Sequence, residues 1–100
     1  MAYKIIVSKL FQKRVIALNS YLEKEWGLGV ASRFHETLIK TILTVADQPG
    51  IGSVSKKKKD VHKILITKHN RLYYRVKDKK TIFLLTLFDT RQNPKKNRYD

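Results

Sequence analysis

RLYYRVKDKKTIFLLTLFDTRQNP, residues 71–94, decides the fold. It holds two strand-length apolar runs, residues 71–76 and 81–88, separated by the charged turn Lys77-Asp78-Lys79-Lys80. Successive side chains of a strand point to opposite faces, and a short polar connection lets two such runs pair as an antiparallel hairpin. The second run, TIFLLTLF, is apolar at both parities, which predicts a central strand covered on both faces. Working back, residues 61–67 form a third run of the same kind, joined by Lys68-His69-Asn70. The second half of the chain therefore predicts a three-stranded antiparallel meander.

Further upstream the hydrophobic period lengthens. Ser8 is a good helix N-cap, and Phe11, Val15, Leu18, Leu22 and Trp26 behind it fall on one helical stripe, predicting a helix over residues 8–26. Gly27 and Gly29 end it. A second helix is expected over residues 30–47, with Phe34, Leu38, Ile42 and Val45 inward and Pro49-Gly50 as its stop. So short a connection makes the two helices an antiparallel hairpin. The β-branched run at residues 3–7 predicts one more strand, placed beside the last. The expectation is an α+β fold of order β-α-α-β-β-β, a helical hairpin packed on a small, mostly antiparallel four-stranded sheet, as one domain over residues 1–100. Residues 51–60 lack periodicity and predict a mobile basic loop, and residues 89–100 an irregular tail crossing the sheet.

Composition narrows the function. The chain has no cysteine, which removes disulfides and thiolate metal sites. Its one N-terminal apolar run, Ile5 to Val7, is too short for a signal peptide or a membrane span, so a cytoplasmic location is expected. Three scattered histidines make no metal motif, and the chain lacks a glycine-rich phosphate loop, a Ser-His-Asp arrangement and paired carboxylates. No metal or other cofactor is expected. Net charge is +14, and it is uneven: residues 1–50 carry 7 basic and 4 acidic side chains, residues 51–100 carry 15 and 4. A one-signed excess concentrated in half of a domain predicts a polyanion-binding face, with no membrane partner.

The candidate residues follow from that charge. Lys56, Lys57, Lys58 and Lys59 form a run able to neutralise a phosphate backbone. Arg71, Tyr73 and Arg75 alternate along one strand and share a face, with His62 and Ile64 expected from the neighbouring strand. Guanidinium groups beside a ring clamp phosphates and stack on bases, while Arg75 can equally pair with Asp78 or Asp89. Lys63, Lys95 and Lys96 complete the nucleic-acid-binding set. Arg91 follows the last strand, where it either projects over the sheet rim or ties down the turn. Tyr99 either stacks, donates a proton or packs. His35 is read as structural, and His62 and His69 flank the first strand of the meander without a carboxylate to orient them.

Helical-hairpin length, the PGIG of residues 49–52, RLYYRV at residues 71–76 and LLTLFDTRQNP at residues 84–94 together resemble the RelE/ParE superfamily of type II toxin–antitoxin toxins, which includes plasmid stabilisation proteins. The resemblance covers nearly the whole chain. It implies a toxin neutralised by an antitoxin, acidic and encoded adjacently. RelE-like members cut mRNA on the ribosome without metal, and ParE-like members inhibit DNA gyrase. In the RelE-like case the resemblance implies Arg71, Arg91, Lys57, Lys59 and, at a longer spacing, Tyr99 as the catalytic set. The lysine run and the Arg71/Arg91 pair favour the mRNA endonuclease. A gyrase inhibitor, or a non-catalytic nucleic-acid-binding or degenerate toxin domain, is the alternative.

Overall fold

A computed structural model describes residues 2–90. The elements are β1 (Lys4–Val7), α1 (Lys9–Trp26), α2 (Leu28–Asp47), a single 3-10 turn (Pro49–Ile51), β2 (Ser53–Val54), β3 (Val61–Thr67), β4 (Asn70–Val76) and β5 (Thr81–Asp89). The sheet runs β1-β5-β4-β3-β2, with β1 parallel to β5 and every other pair antiparallel. Two helices thus lie on one face of a mixed sheet whose central strands are the meander.

The expected order holds, with one strand added. The sheet has five strands where four were expected, because Ser53 and Val54 pair with Lys63 and His62. Two residues are too few to leave a periodic signal.

Ser8 caps α1 as its sequence predicts. Its Oγ accepts from the Phe11 amide at 2.9 Å and donates to the Leu85 carbonyl at 2.8 Å, so one side chain starts the helix and ties it to β5. The hairpin turn is tighter than the two-glycine reading implies. Gly27 alone makes it, at φ 91, with its amide on Glu23 O at 3.0 Å and its carbonyl taking the Ala31 amide at 3.2 Å. That left-handed backbone suits glycine, so Gly29 is free to lie inside α2, which begins at Leu28.

The apolar run TIFLLTLF covers both faces through a bulge. Tyr73 pairs with Thr86 but Tyr74 with Leu84, leaving an extra residue in β5. Ile82 and Leu84 face the helices, and past the bulge Leu87 does so too, joining Phe11, Phe34, Leu38, Val45, Ile66, Leu72 and Tyr74 in the main core. Leu85 and Phe88 turn to the opposite face and pack with Val61 and Tyr73 in a second cluster.

Tyr74 links the layers. Its ring is fully buried, and its hydroxyl donates to Pro49 O at 2.7 Å and accepts from the Gly52 amide at 3.0 Å. Burial raises the hydroxyl's pKa above its ordinary value. Gly52 has no room for a side chain, since an added Cβ would meet Tyr74 Oη at 2.7 Å and Lys63 O at 2.8 Å. This clamp sets the chain leaving α2 against β4 and delivers Ser53 to β3.

Tyr74→Phe is expected to cost about 1–3 kcal/mol by orphaning the Gly52 amide and the Pro49 carbonyl, and Gly52→Ala roughly 1–3 kcal/mol by overpacking, both measured by urea unfolding. Because burial favours the neutral phenol, its contribution to stability is whole below pH ~10 and is lost as pH rises through the higher folded value. Tyr74→Phe should flatten that alkaline decline.

Candidate functional site

The face of the sheet turned away from the helices carries the candidate residues. Along the central hairpin the register sets Val61 opposite Arg75, Lys63 opposite Tyr73 and Leu65 opposite Arg71. Side chains directly across a ladder share a face, so these six form one surface. Arg71, Tyr73 and Arg75 therefore stand together there. Their expected neighbours His62 and Ile64 do not. Ile64 packs on the main core, and the His62 ring stacks on Tyr74 with centroids 5.3 Å apart and planes at 13°. The cause is parity: the hairpin pairs odd with odd positions, which brings Lys63 and Leu65, and not their even neighbours, beside Arg71 and Tyr73. Among the described residues the buried His62 Nδ1 has no hydrogen-bond partner.

Tyr73 is no stacking platform. Its ring is fully buried in the second cluster, leaving no exposed π face for a base, and its hydroxyl accepts from Arg71 Nη1 at 3.1 Å. Arg75 is exposed on the same face. Asp78, one of the two carboxylates weighed as its partner, accepts from the Lys80 amide at 2.7 Å, and that hydrogen bond foremost holds its carboxyl below the ordinary value.

The lysine run, expected as a basic loop, follows a hydrogen-bonded turn. Ser55, itself buried, accepts the amides of Lys57 and Lys58 on its Oγ at 3.2 and 3.3 Å. Its own amide donates to Val61 O at 2.7 Å, and the Val61 amide to Lys58 O at 3.4 Å. Asp60 closes the turn at φ 69, a conformation aspartate tolerates better than most side chains. Lys56, Lys57, Lys58 and Lys59 are exposed around this knot, next to Val61 and Arg75.

Of the cations assigned together with Arg71, Lys57 and Lys59 thus stand at the far end of the ladder. From Val61 to Leu65 is about 13 Å at ~3.3 Å per residue. Among the described residues, the cation that shares a groove with Arg71 is Lys63. Both line a groove of about 400 Å³ with Ile51, Gly52, Ser53, Ile64 and Leu65, which opens where two-residue β2 ends and leaves the rest of β3 uncovered. Sequence reasoning counted Lys63 only as one phosphate contact among many. The odd parity it shares with Arg71 across a tight hairpin was the signal for the pairing. Arg91, Lys95, Lys96 and Tyr99 lie outside the described residues.

A second groove, of about 520 Å³, lies on the helical side between the hairpin's turn and the β3–β4 connection. Tyr21, Leu22, Trp26 and Phe34 give it apolar walls, and Arg33 and His69 stand at its margin. Trp26 is two-thirds exposed there, at 66%. Among the described residues no helix is long and apolar enough to cross a membrane.

A helical hairpin lies over one face of a small mixed sheet, and Lys63, Arg71 and Arg75 stand on the other. A chain of the chromosomal ParDE TA system from P. aeruginosa superimposes with a TM-score of 0.73 at 12% identity, over 88% of this chain and 96% of that one. A copper-bound mutant toxin from Helicobacter pylori superimposes with a TM-score of 0.62 at 24% identity, over 89% and 94%. The comparison with curated proteins gives no match. Residues 5–94 match the family model for the ParE toxin of the type II toxin–antitoxin system parDE. The chain belongs to that family, and membership implies an antitoxin partner.

Asp60→Val, which forces a β-branched residue into the left-handed region, should destabilise by roughly 1–2 kcal/mol, and Asp60→Gly should not. Urea unfolding of the two variants compares them directly.

Proposed function

We propose that this toxin acts in the cytoplasm on RNA, as a ribosome-dependent mRNA endonuclease of the RelE-like kind. The observation that carries the reading is the convergence of Lys63 and Arg71 on one groove of the outer sheet face. Arg75 and the lysine run at residues 56–59 extend the same positive strip. A strip of fixed cations suits a single-stranded backbone, whose phosphates it neutralises with release of condensed counterions.

The chemistry needs little beyond placed charge. When a ribose 2′-hydroxyl gives its proton to solvent, its oxygen bonds to the neighbouring phosphorus and the bond to the 5′-oxygen breaks, and in the phosphorane between these events the equatorial oxygens gain negative charge. Cations held in place before the reaction stabilise that state more than the ground state. Arg71, with its planar fork, suits two phosphate oxygens, and Lys63 supplies a point charge. Lys57 and Lys59, at the other end of the strip, are assigned to the incoming strand. Arg91 is proposed as a further phosphate ligand and Tyr99 as the proton donor to the leaving 5′-oxygen.

A second reading has an observation of its own: the matching family model is that of the ParE toxin, which favours inhibition of DNA gyrase. Such a toxin needs an interface and no catalytic set. In either case the antitoxin is proposed to be acidic and encoded next door. The apolar groove beside Arg33 and His69 supports an amphipathic acidic segment of it as occupant.

Controlled expression in a bacterial host, with pulse labelling of protein and DNA synthesis and mapping of mRNA 5′ ends, separates the readings. Early translation arrest with cuts inside ribosome-bound messages is expected. Early loss of DNA synthesis with intact messages would establish the gyrase reading instead. Lys63→Ala with Arg71→Ala should abolish message cleavage at equal protein level.

A further inference from the structure

Phe83 is the ring of the outer sheet face that core packing leaves unexplained. Ile82 and Leu84 on either side of it pack into the main core, so its side chain leaves the opposite face, and it joins neither apolar cluster. The ladder sets it between Arg75 on β4 and Ile6 on β1. It is half-buried, whereas the Tyr73 ring on the same face is fully buried. Lys77 stands over it, with Nζ 5.3 Å from the ring centroid. Lys77 is itself exposed, so the π face it covers is open to groups arriving from solvent. Its amide donates to Thr81 O at 3.0 Å, which fixes the backbone at the mouth of the β4–β5 hairpin and leaves the side chain to swing. Arg75, Lys77 and Lys4, all exposed, thus surround one aromatic ring.

Magnitudes decide what such a ring prefers. An exposed ammonium over a phenyl ring is worth a factor of about 2–5 in an equilibrium. A nucleobase stacked on the same ring is worth roughly 5- to 150-fold. A base therefore displaces the lysine, and the released ammonium stays within reach of a phosphate beside that base. We propose that Phe83 is a base-stacking platform for single-stranded RNA, with Arg75 and Lys77 taking the flanking phosphates. The inference rests on the reading that the outer sheet face binds single-stranded RNA, and it adds a contact that recognises the base and not the charge.

The test uses the purified chain and two labelled probes of equal length: a short single-stranded RNA carrying 2-aminopurine, whose fluorescence falls on stacking, and an abasic ribose-phosphate strand. The wild type is expected to quench the 2-aminopurine and to bind the RNA about 5-fold or more tightly than the abasic strand. Phe83→Leu keeps an apolar side chain and loses the π face. It should bind both strands alike, at the wild-type affinity for the abasic one, while Phe83→Tyr keeps the preference. Lys77→Ala, in the exposed turn, should preserve the quenching and make the slope of log affinity against log salt shallower by about one. Wild-type RNA affinity in Phe83→Leu overturns the platform, and so does an equal loss on both strands, the mark of a purely structural residue. Equal binding of the two strands by the wild type overturns it without recourse to any variant, and an unchanged salt slope in Lys77→Ala overturns the assignment of Lys77. If the wild type binds neither strand, the RNA reading of the outer face fails and the platform with it.

Discussion

The hydroxyl of Tyr74 is the contact on which the outlying parts of this molecule depend. It lies at the bottom of the main core, yet it holds the carbonyl of Pro49 and the amide of Gly52, two groups on the segment that leaves the helical layer. A buried phenol with both of its hydrogen bonds made to backbone fixes position and direction, which apolar contact alone does not. From that point the chain has only one way forward. Gly52 passes where a Cβ would not fit, Ser53 and Val54 complete the sheet edge, and Ser55 gathers the lysine turn around its hydroxyl. The cations nearest the start of β3 thus owe their place to a side chain on the other face of the sheet.

The bulge in β5 solves a different problem. A strict two-residue alternation gives a strand one face for each parity, and TIFLLTLF has bulky apolar residues on both. The extra residue opposite Tyr73 and Tyr74 changes the parity midway. Ile82, Leu84 and Leu87 can then all reach the helices, while Leu85 and Phe88 build the second cluster. That second cluster buries the Tyr73 ring on the face that carries Arg71 and Lys63.

A basic surface carried on strands differs physically from one carried on a loop. Like charges repel, and flexible lysines relieve the repulsion by spreading into solvent. Lys63 and Arg71 have less freedom to do so, since neighbouring strands of one ladder set their backbones and a hydrogen bond to Tyr73 holds the guanidinium. The lysine turn at residues 56–59 is hydrogen-bonded in its backbone and exposed in its side chains.

Periodicity in the sequence determined the helices, the meander, the order of the elements and the shared face of Arg71, Tyr73 and Arg75, because those features repeat locally every two or 3.6 residues. Charge counting along the chain likewise located the basic half. Tertiary structure alone decided the rest. Two-residue β2 follows directly on Gly52, which Tyr74, 22 residues on, holds by a hydrogen bond. His62 was expected beside Arg71 and stacks on Tyr74 instead, since which parity faces outward depends on how two strands pair and not on either strand alone. Tyr73 was expected in the nucleic-acid-binding set and its ring is buried in the second cluster, because burial of a ring is set by what lies across the ladder and past the bulge. Local pattern fixes which residues share a face; only packing between distant segments fixes which face is covered.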